Sequence, residues 1–290
     1  MASSVKLRAQ DGYELAGSLH VADGEKAAAR RVAVVHCGAG IPASRYQNFA
    51  AFLARAGMPT LTYDYRGIGQ SRPGAFRGFA AELEDWSEYD CAAAIAWLRA
   101  RFPNAEIVGI AHSAGAWVMG GAGNAAEQAR LVLIGGHTGY YGDYRPLYRL
   151  PMAVLWHAIM PAMTHLVGYF PGRRLGLGED IPAKIALQWA ARRSPQLGRA
   201  ATDRAQMLLE RCASLQRPAL LVSVSDDAFA TPAGMQRLMA YYPRLCPLQH
   251  LRFTPADAGV RRLGHFGFFS RRAGAALWPR LLAQLDAGVA

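Results

Sequence analysis

Lysine is nearly absent from this 290-residue chain: Lys6, Lys26 and Lys184 are the only three, so the formal net charge of +11 rests on arginine. Many of the arginines fall in dispersed pairs (Arg30-Arg31, Arg173-Arg174, Arg192-Arg193, Arg261-Arg262, Arg271-Arg272) and form no single basic stripe interleaved with aromatics. A nucleic-acid surface needs such clustering, so no nucleic-acid partner is expected. The charge reads instead as a solvated surface, or as a field that attracts anionic substrates or membrane surfaces. Cysteine is scarce as well. Cys37, Cys91, Cys212 and Cys246 lie far apart, with no Cys-x-x-Cys pair and no His/Cys metal spacing, which points to free thiols in a reducing compartment and to no bound metal. The first eight residues, Met-Ala-Ser-Ser-Val-Lys-Leu-Arg, lack the apolar stretch of a signal peptide, in keeping with a cytoplasmic address. The most apolar long segment, residues 151–170, holds two prolines and two histidines. It is a poor membrane span, and no stable membrane insertion is expected.

What is present is a globular composition, 52% apolar and 18% charged, on a chain long enough for one large core carrying an insertion. Two small domains are the competing reading. Residues 5–9 and 13–21 alternate around Asp11-Gly12 as an antiparallel hairpin. Short apolar runs at 32–35, 60–65, 107–111, 131–134, 219–224 and 250–253 then read as strands, most of them separated by helical spacing. That alternation predicts an α/β fold, a mostly parallel sheet with helices on both faces. Between residues 140 and 216 the strand signals vanish, and short helix-like pieces (152–160, 185–191, 202–212) take their place. We read 140–216 as a helical cap inserted into a core formed by 1–139 and 217–290; a separate second domain is the alternative.

The segment around Ser113 carries the chemistry. Ala111-His112-Ser113-Ala114-Gly115 is close to the Gly-x-Ser-x-Gly turn that joins a strand to a helix, where small neighbours let the two backbones nearly touch. Alanine stands at the first glycine position. A serine hydroxyl needs a base within reach, and the base needs a third group to set its tautomer and stabilise its charge. In an open α/β sheet such groups sit past the carboxyl ends of strands. A lone histidine is more often structural, but His265 follows the last strand in a glycine-flanked loop. His36 and His112 also end strands; His112 adjoins the serine and should point away from it. For the acid, Asp227 is preferred over Asp226, with Asp257 as runner-up and better suited to capping a loop. The oxyanion donors expected are the N–H groups of Ala114, at the start of its helix, and Gly38, with Ala39 next.

The order Ser113, Asp227, His265 is the α/β-hydrolase order. The chain resembles an α/β-hydrolase of the bacterial serine aminopeptidase/lysophospholipase-like type. Four segments carry the likeness: Asp64-Tyr65-Arg66-Gly67-Ile68-Gly69-Gln70-Ser71, the Ser113 motif, the 170–189 cap stretch and Gly264-His265-Phe266-Gly267-Phe268-Phe269. Cys37 stands where many relatives have glycine. The resemblance implies that Asp64 and Arg66 organise sheet and loop. The reading is then a cofactor-free serine hydrolase acting on a small-molecule ester or acyl substrate (ester, thioester or small amide) through an acyl-enzyme. Trp156, Met160, Phe170 and Trp189 are candidates for an apolar roof over the substrate, or for ordinary cap core. A non-catalytic binding module on the same fold and an acyltransferase with the same triad remain alternatives, and a homo-oligomer is left open.

Overall fold

The computed structural model describes residues 2–22, 29–191 and 202–287. Its frame is an eight-stranded sheet in the order β1-β2-β4-β3-β5-β6-β9-β10. Strands β1 (Ala2–Arg8) and β2 (Glu14–His20) form the antiparallel hairpin at one edge, and β2 runs antiparallel to β4 (Thr60–Tyr63). The rest are parallel: β3 (Arg31–His36), β5 (Glu106–His112), β6 (Gln128–Ile134), β9 (Ala219–Val224) and β10 (Leu248–Phe253). Central strands covered on both faces read as continuous apolar runs. That is why β5 is buried from Ile107 onward and β9 along its whole length.

Helices α1 (Gln47–Arg55), α2 (Ala92–Arg101), α3 (Gly115–Gly120), α8 (Pro232–Met239) and α9 (Arg271–Ala287) belong to the layers on the sheet. From β3 the chain leaves through α1 to β4 on one side, and from β4 through α2 it returns to β5 on the other. The loops after β3 and β5 therefore diverge, and their parting opens a crevice at the carboxyl ends of the strands. Asp90, which interrupts the apolar stripe leading into α2, is explained by Arg66. The Arg66 backbone N–H and Nε–H donate to the two Asp90 carboxylate oxygens at 2.8 and 2.7 Å. Asp64 likewise accepts from the N–H groups of Ala43 and Gln70 at 2.6 and 2.9 Å. Both residues hold loops.

The stretch between β6 and β9 differs from expectation in two ways. Residues Pro146–Val167 form one continuous helix, α4 (Pro146–Val154) and α5 (Met160–Val167) joined by a π-turn at Leu155–Ile159. Proline normally breaks a helix because it lacks a donor and crowds the preceding turn. Here the wider π-turn lies just ahead of Pro161 and takes up the misfit. This helix is long and apolar enough to cross a membrane by length and composition, with a mean hydropathy of 1.3, and only 11% of that window is buried. Leu147, Leu150 and Leu166 face outward. A two-stranded ribbon, β7 (Tyr169–Phe170) with β8 (Ile181–Pro182), and α6 (Ala183–Ala190) complete the cover. The second difference is α7 (Asp203–Ser214), whose sequence was read with the cap. It packs against α3: the Cys212 thiol donates to the Trp117 carbonyl at 3.6 Å and Arg211 to that of Gly121 at 3.2 Å. The stretch between β6 and β9 thus supplies a helix against α3 as well as the helices and ribbon that precede it.

Candidate active site

Ser113 sits at the tip of the β5–α3 turn with φ 54°, and among the described residues it is the one non-glycine with positive φ. An L-residue in this region carries strain of roughly 1–2 kcal/mol, retained here by the packing beneath it. A Cβ on Gly115 would meet the carbonyl oxygens of His36 and Cys37 at 2.4 and 2.6 Å. Only glycine permits that crossing. Ala111 is buried and fits its strand position, so the extra methyl is accommodated.

His265 arrives from the loop after β10. Its Nε2 accepts from the Ser113 hydroxyl at 2.9 Å, and its Nδ1–H donates to Asp227 Oδ2 at 2.7 Å. Asp227 lies in the turn after β9, its other oxygen accepting from the N–H groups of Phe229 and Ala230 at 2.8 and 3.0 Å. Burial alone would raise its carboxyl. His265 and the two N–H donors outweigh that and hold it down at about 2, so the acid is a fixed negative charge behind the ring. Asp226 turns the other way and accepts from the N–H groups of Leu263 and Gly264 at 3.0 and 2.9 Å, bracing the loop that carries His265. Asp257 caps a turn with Thr254 and pairs with Arg280, far from the serine's bonding network.

His112 is fully buried. The Tyr46 hydroxyl donates to its Nδ1 at 2.8 Å, and its Nε2–H donates to the His265 carbonyl at 3.2 Å. It therefore supports the His265 loop from beneath. The same tyrosine alters the expected oxyanion site, because its hydroxyl oxygen accepts the Gly38 N–H at 3.0 Å. A Cβ on Gly38 would lie 3.3 Å from the Ser113 Cβ, so Gly38 is adjacent to the serine, but its N–H donor is already engaged. No acceptor for the N–H groups of Ala39 and Ala114 occurs among the described residues. Cys37 is buried, its thiol donating to the Tyr63 carbonyl at 3.3 Å and pushed well up by burial. It is an inert thiol.

Of the four cap residues, Trp189 and Trp156 stack with ring centres 5.1 Å apart, and Trp189 reaches Trp117 of α3 at 6.2 Å. Met160 and Phe170 are buried within the packing of α5, α6 and β7. Among the described residues no group of three or more His, Cys, Asp or Glu is placed to hold a metal ion.

One residue at the site was not anticipated. His137, three residues beyond β6, lies with its Nε2 3.2 Å from Ser113 Oγ. Gly135 and Gly136 bring it there. Gly135 has φ 54°, a conformation that favours glycine, and a Cβ on it would lie in van der Waals contact with Asp227 at 3.4 Å and His265 at 3.5 Å. The clue was in the sequence: a histidine just past a strand's carboxyl end, the same criterion that singled out His265.

A strained serine on a strand-to-helix turn, with a histidine and a buried acid from later strand ends, on this sheet order, defines an α/β-hydrolase. A sequence profile described as serine aminopeptidase, S33, matches residues 27–246. The chain belongs to that family. Solved structures with the same fold include a Saccharomyces cerevisiae monoglyceride lipase, a soluble variant in complex with a substrate analogue (14% identity, 98% and 96% of the two chains covered, TM-score 0.64). An α/β-hydrolase from Penicillium sp. sh18 aligns at 17% identity over 99% and 97% (TM-score 0.64). A Pyrococcus furiosus esterase aligns at 15% identity over 98% and 90% (TM-score 0.60). No sequence among curated proteins matches the chain.

Proposed function

We propose that the protein is a serine hydrolase that cleaves carboxylic esters of small molecules through an acyl-enzyme. Ser113 is the nucleophile, His265 the general base and then acid, and Asp227 the group that orients His265 and stabilises its charged form. The observation that carries the reading is the unbroken relay from Asp227 Oδ2 through His265 to Ser113 Oγ, with bonds of 2.7 and 2.9 Å. Asp227 is buried whereas Ser113 and His265 are both partly exposed, an arrangement that leaves the nucleophile and its base open to substrate and shields the carboxylate behind them. For the oxyanion we assign the N–H groups of Ala114 and Ala39, since the Gly38 N–H is engaged by Tyr46. Backbone donors at such a position typically contribute about 10²–10³ in rate.

On this reading the stacked Trp156 and Trp189, together with Trp117, form the apolar wall that favours an acyl or aromatic group, while Met160 and Phe170 hold the wall in place. The esterase and lipase names of structural neighbours agree with ester chemistry. The test is a p-nitrophenyl ester series of increasing acyl length. Saturable turnover that disappears in a folded Ser113→Ala variant is the expected result. Turnover unchanged in that variant would remove the proposal.

A further inference from the structure

We propose that His137 is a second catalytic histidine, a permanent N–H donor to Ser113 Oγ that stabilises the alkoxide character of that oxygen as its bond to the acyl carbon forms and breaks. The inference rests on the serine-hydrolase reading above. Two imidazole rings converge on one hydroxyl oxygen, at 2.9 Å (His265) and 3.2 Å (His137), with ring centres 5.3 Å apart. What stands behind each ring sets its tautomer. Behind His265 is a carboxylate, so its Nδ1 carries the proton and its Nε2 is the acceptor. Behind His137 is a backbone donor: the Gly139 N–H points at its Nδ1 at 3.0 Å. That Nδ1 is therefore the acceptor, and in the neutral ring the proton lies on Nε2, facing Ser113.

The ring is neutral at any working pH. Burial, and the proximity of His265, hold His137 down at about 3. A general base would need the opposite, a lone pair facing the serine, so His137 neither takes nor gives up a proton during turnover.

A hydroxyl oxygen has one O–H and two lone pairs. In the resting site the O–H goes to His265 and one lone pair to His137, which leaves one lone pair for the acyl carbon. In acylation the Oγ proton moves to His265 Nε2, the C–Oγ bond forms, and the carbonyl π pair moves onto the carbonyl oxygen. Collapse of that adduct expels the leaving alkoxide, which takes the proton from His265. In deacylation water adds with its proton going to His265. The C–Oγ bond then breaks, its electron pair returns to Oγ, and the same proton follows. Negative charge on Oγ is greatest around proton removal and around C–Oγ cleavage. The His137 N–H is aimed at that oxygen on both occasions, and only interactions stronger in the transition state than in the ground state raise the chemical rate.

Two isosteric substitutions separate this role from packing. His137→Gln keeps an N–H donor near the Nε2 position, whereas His137→Asn places its polar atoms near Nδ1 and takes the donor away from the serine. Both are compared with wild type in p-nitrophenyl butyrate turnover, in the rate of phosphonylation by diisopropyl fluorophosphate, and in thermal unfolding. The expected result is a fall of about 10²-fold in kcat for His137→Asn, the size of losing one aimed donor. His137→Gln should recover most of the loss, and the pH profile should keep its shape in both. Equal losses in the two folded variants, no loss in His137→Asn, or a pH limb that vanishes with His137 would each overturn the assignment. Wild-type protein that reacts with neither reagent would instead remove the hydrolase reading itself, a result separable from all of these.

Discussion

The loops after β6 and β10 each deliver a histidine to Ser113, and they do so by different means. The β10 loop is anchored from outside. Asp226 holds its backbone, His112 supports its carbonyl, and Asp227 faces the ring. In the β6 loop Gly135 turns the chain at φ 54°, its N–H donates to the Val222 carbonyl of β9 at 2.9 Å, and the ring is fixed from within the loop by the Gly139 N–H. Identical side chains at nearly equal distances from one oxygen thus receive opposite protonation patterns. The group behind each ring sets the role we propose for it, and the distance to Ser113 does not.

The comparison breaks most severely at its shared point. Ser113→Ala should lower ester turnover by about 10⁶-fold, leaving what binding and the oxyanion donors supply, as read from steady-state kinetics against the wild type. Asp227→Asn comes next, at about 10⁴-fold, because an amide behind His265 favours the wrong tautomer and withdraws the charge that stabilises the imidazolium. The same substitution leaves the His137 tautomer untouched, since that ring is set by Gly139. His137→Asn, at about 10², tests the other arm.

Acid should affect the buried rings as a group. Burial holds His36 down at about 4 and His137 at about 3, and it holds His112 well below its ordinary value. In the unfolded chain each titrates near its ordinary 6.5. The unfolded state therefore binds more protons as the pH falls below about 6.5, and folding stability falls with it, by up to about 1.4 kcal/mol per pH unit for each ring. Asp227, held at about 2 against an ordinary 3.8, adds to the loss only below about pH 4. Urea midpoints measured from pH 8 to 4 should decline steadily below about 6.5; a flat profile across that range would show that the rings are not buried neutral. The smallest effect is expected from Gly135→Ala. A methyl at φ 54° carries a strain of roughly 1–2 kcal/mol while resting in ordinary van der Waals contact with Asp227 and His265, so a lower melting temperature should come with at most a small change in kcat.

Much of this arrangement is legible in the chain because strand ends are legible. Ser113, Asp227 and His265 each follow a short apolar run, and the parallel sheet brings such ends to one edge whatever the details of packing. His137 meets the same criterion, yet Gly135-Gly136 reads as the close of a strand and hides the turn that aims the next histidine inward. The Tyr46 hydroxyl on Gly38 could not be read at all. The two residues are eight apart, and their bond depends on how α1 lies against β3 and β5, which is a matter of packing. Proline misled between β6 and β9: the helical piece read as 152–160 is bounded by Pro151 and Pro161, but Pro151 lies inside α4 and a π-turn ahead of Pro161 leads on into α5. Helix α7 has the periodicity of any surface helix, and only its contacts with α3 assign it a neighbour.

The most direct measurement of the central claim is reaction of the purified protein with a fluorophosphonate probe, followed by mapping of the modified peptide. The account predicts a single modification at Ser113, lost in His265→Ala while the protein remains folded. A folded wild-type protein that resists the probe, or one modified at another residue, would contradict it.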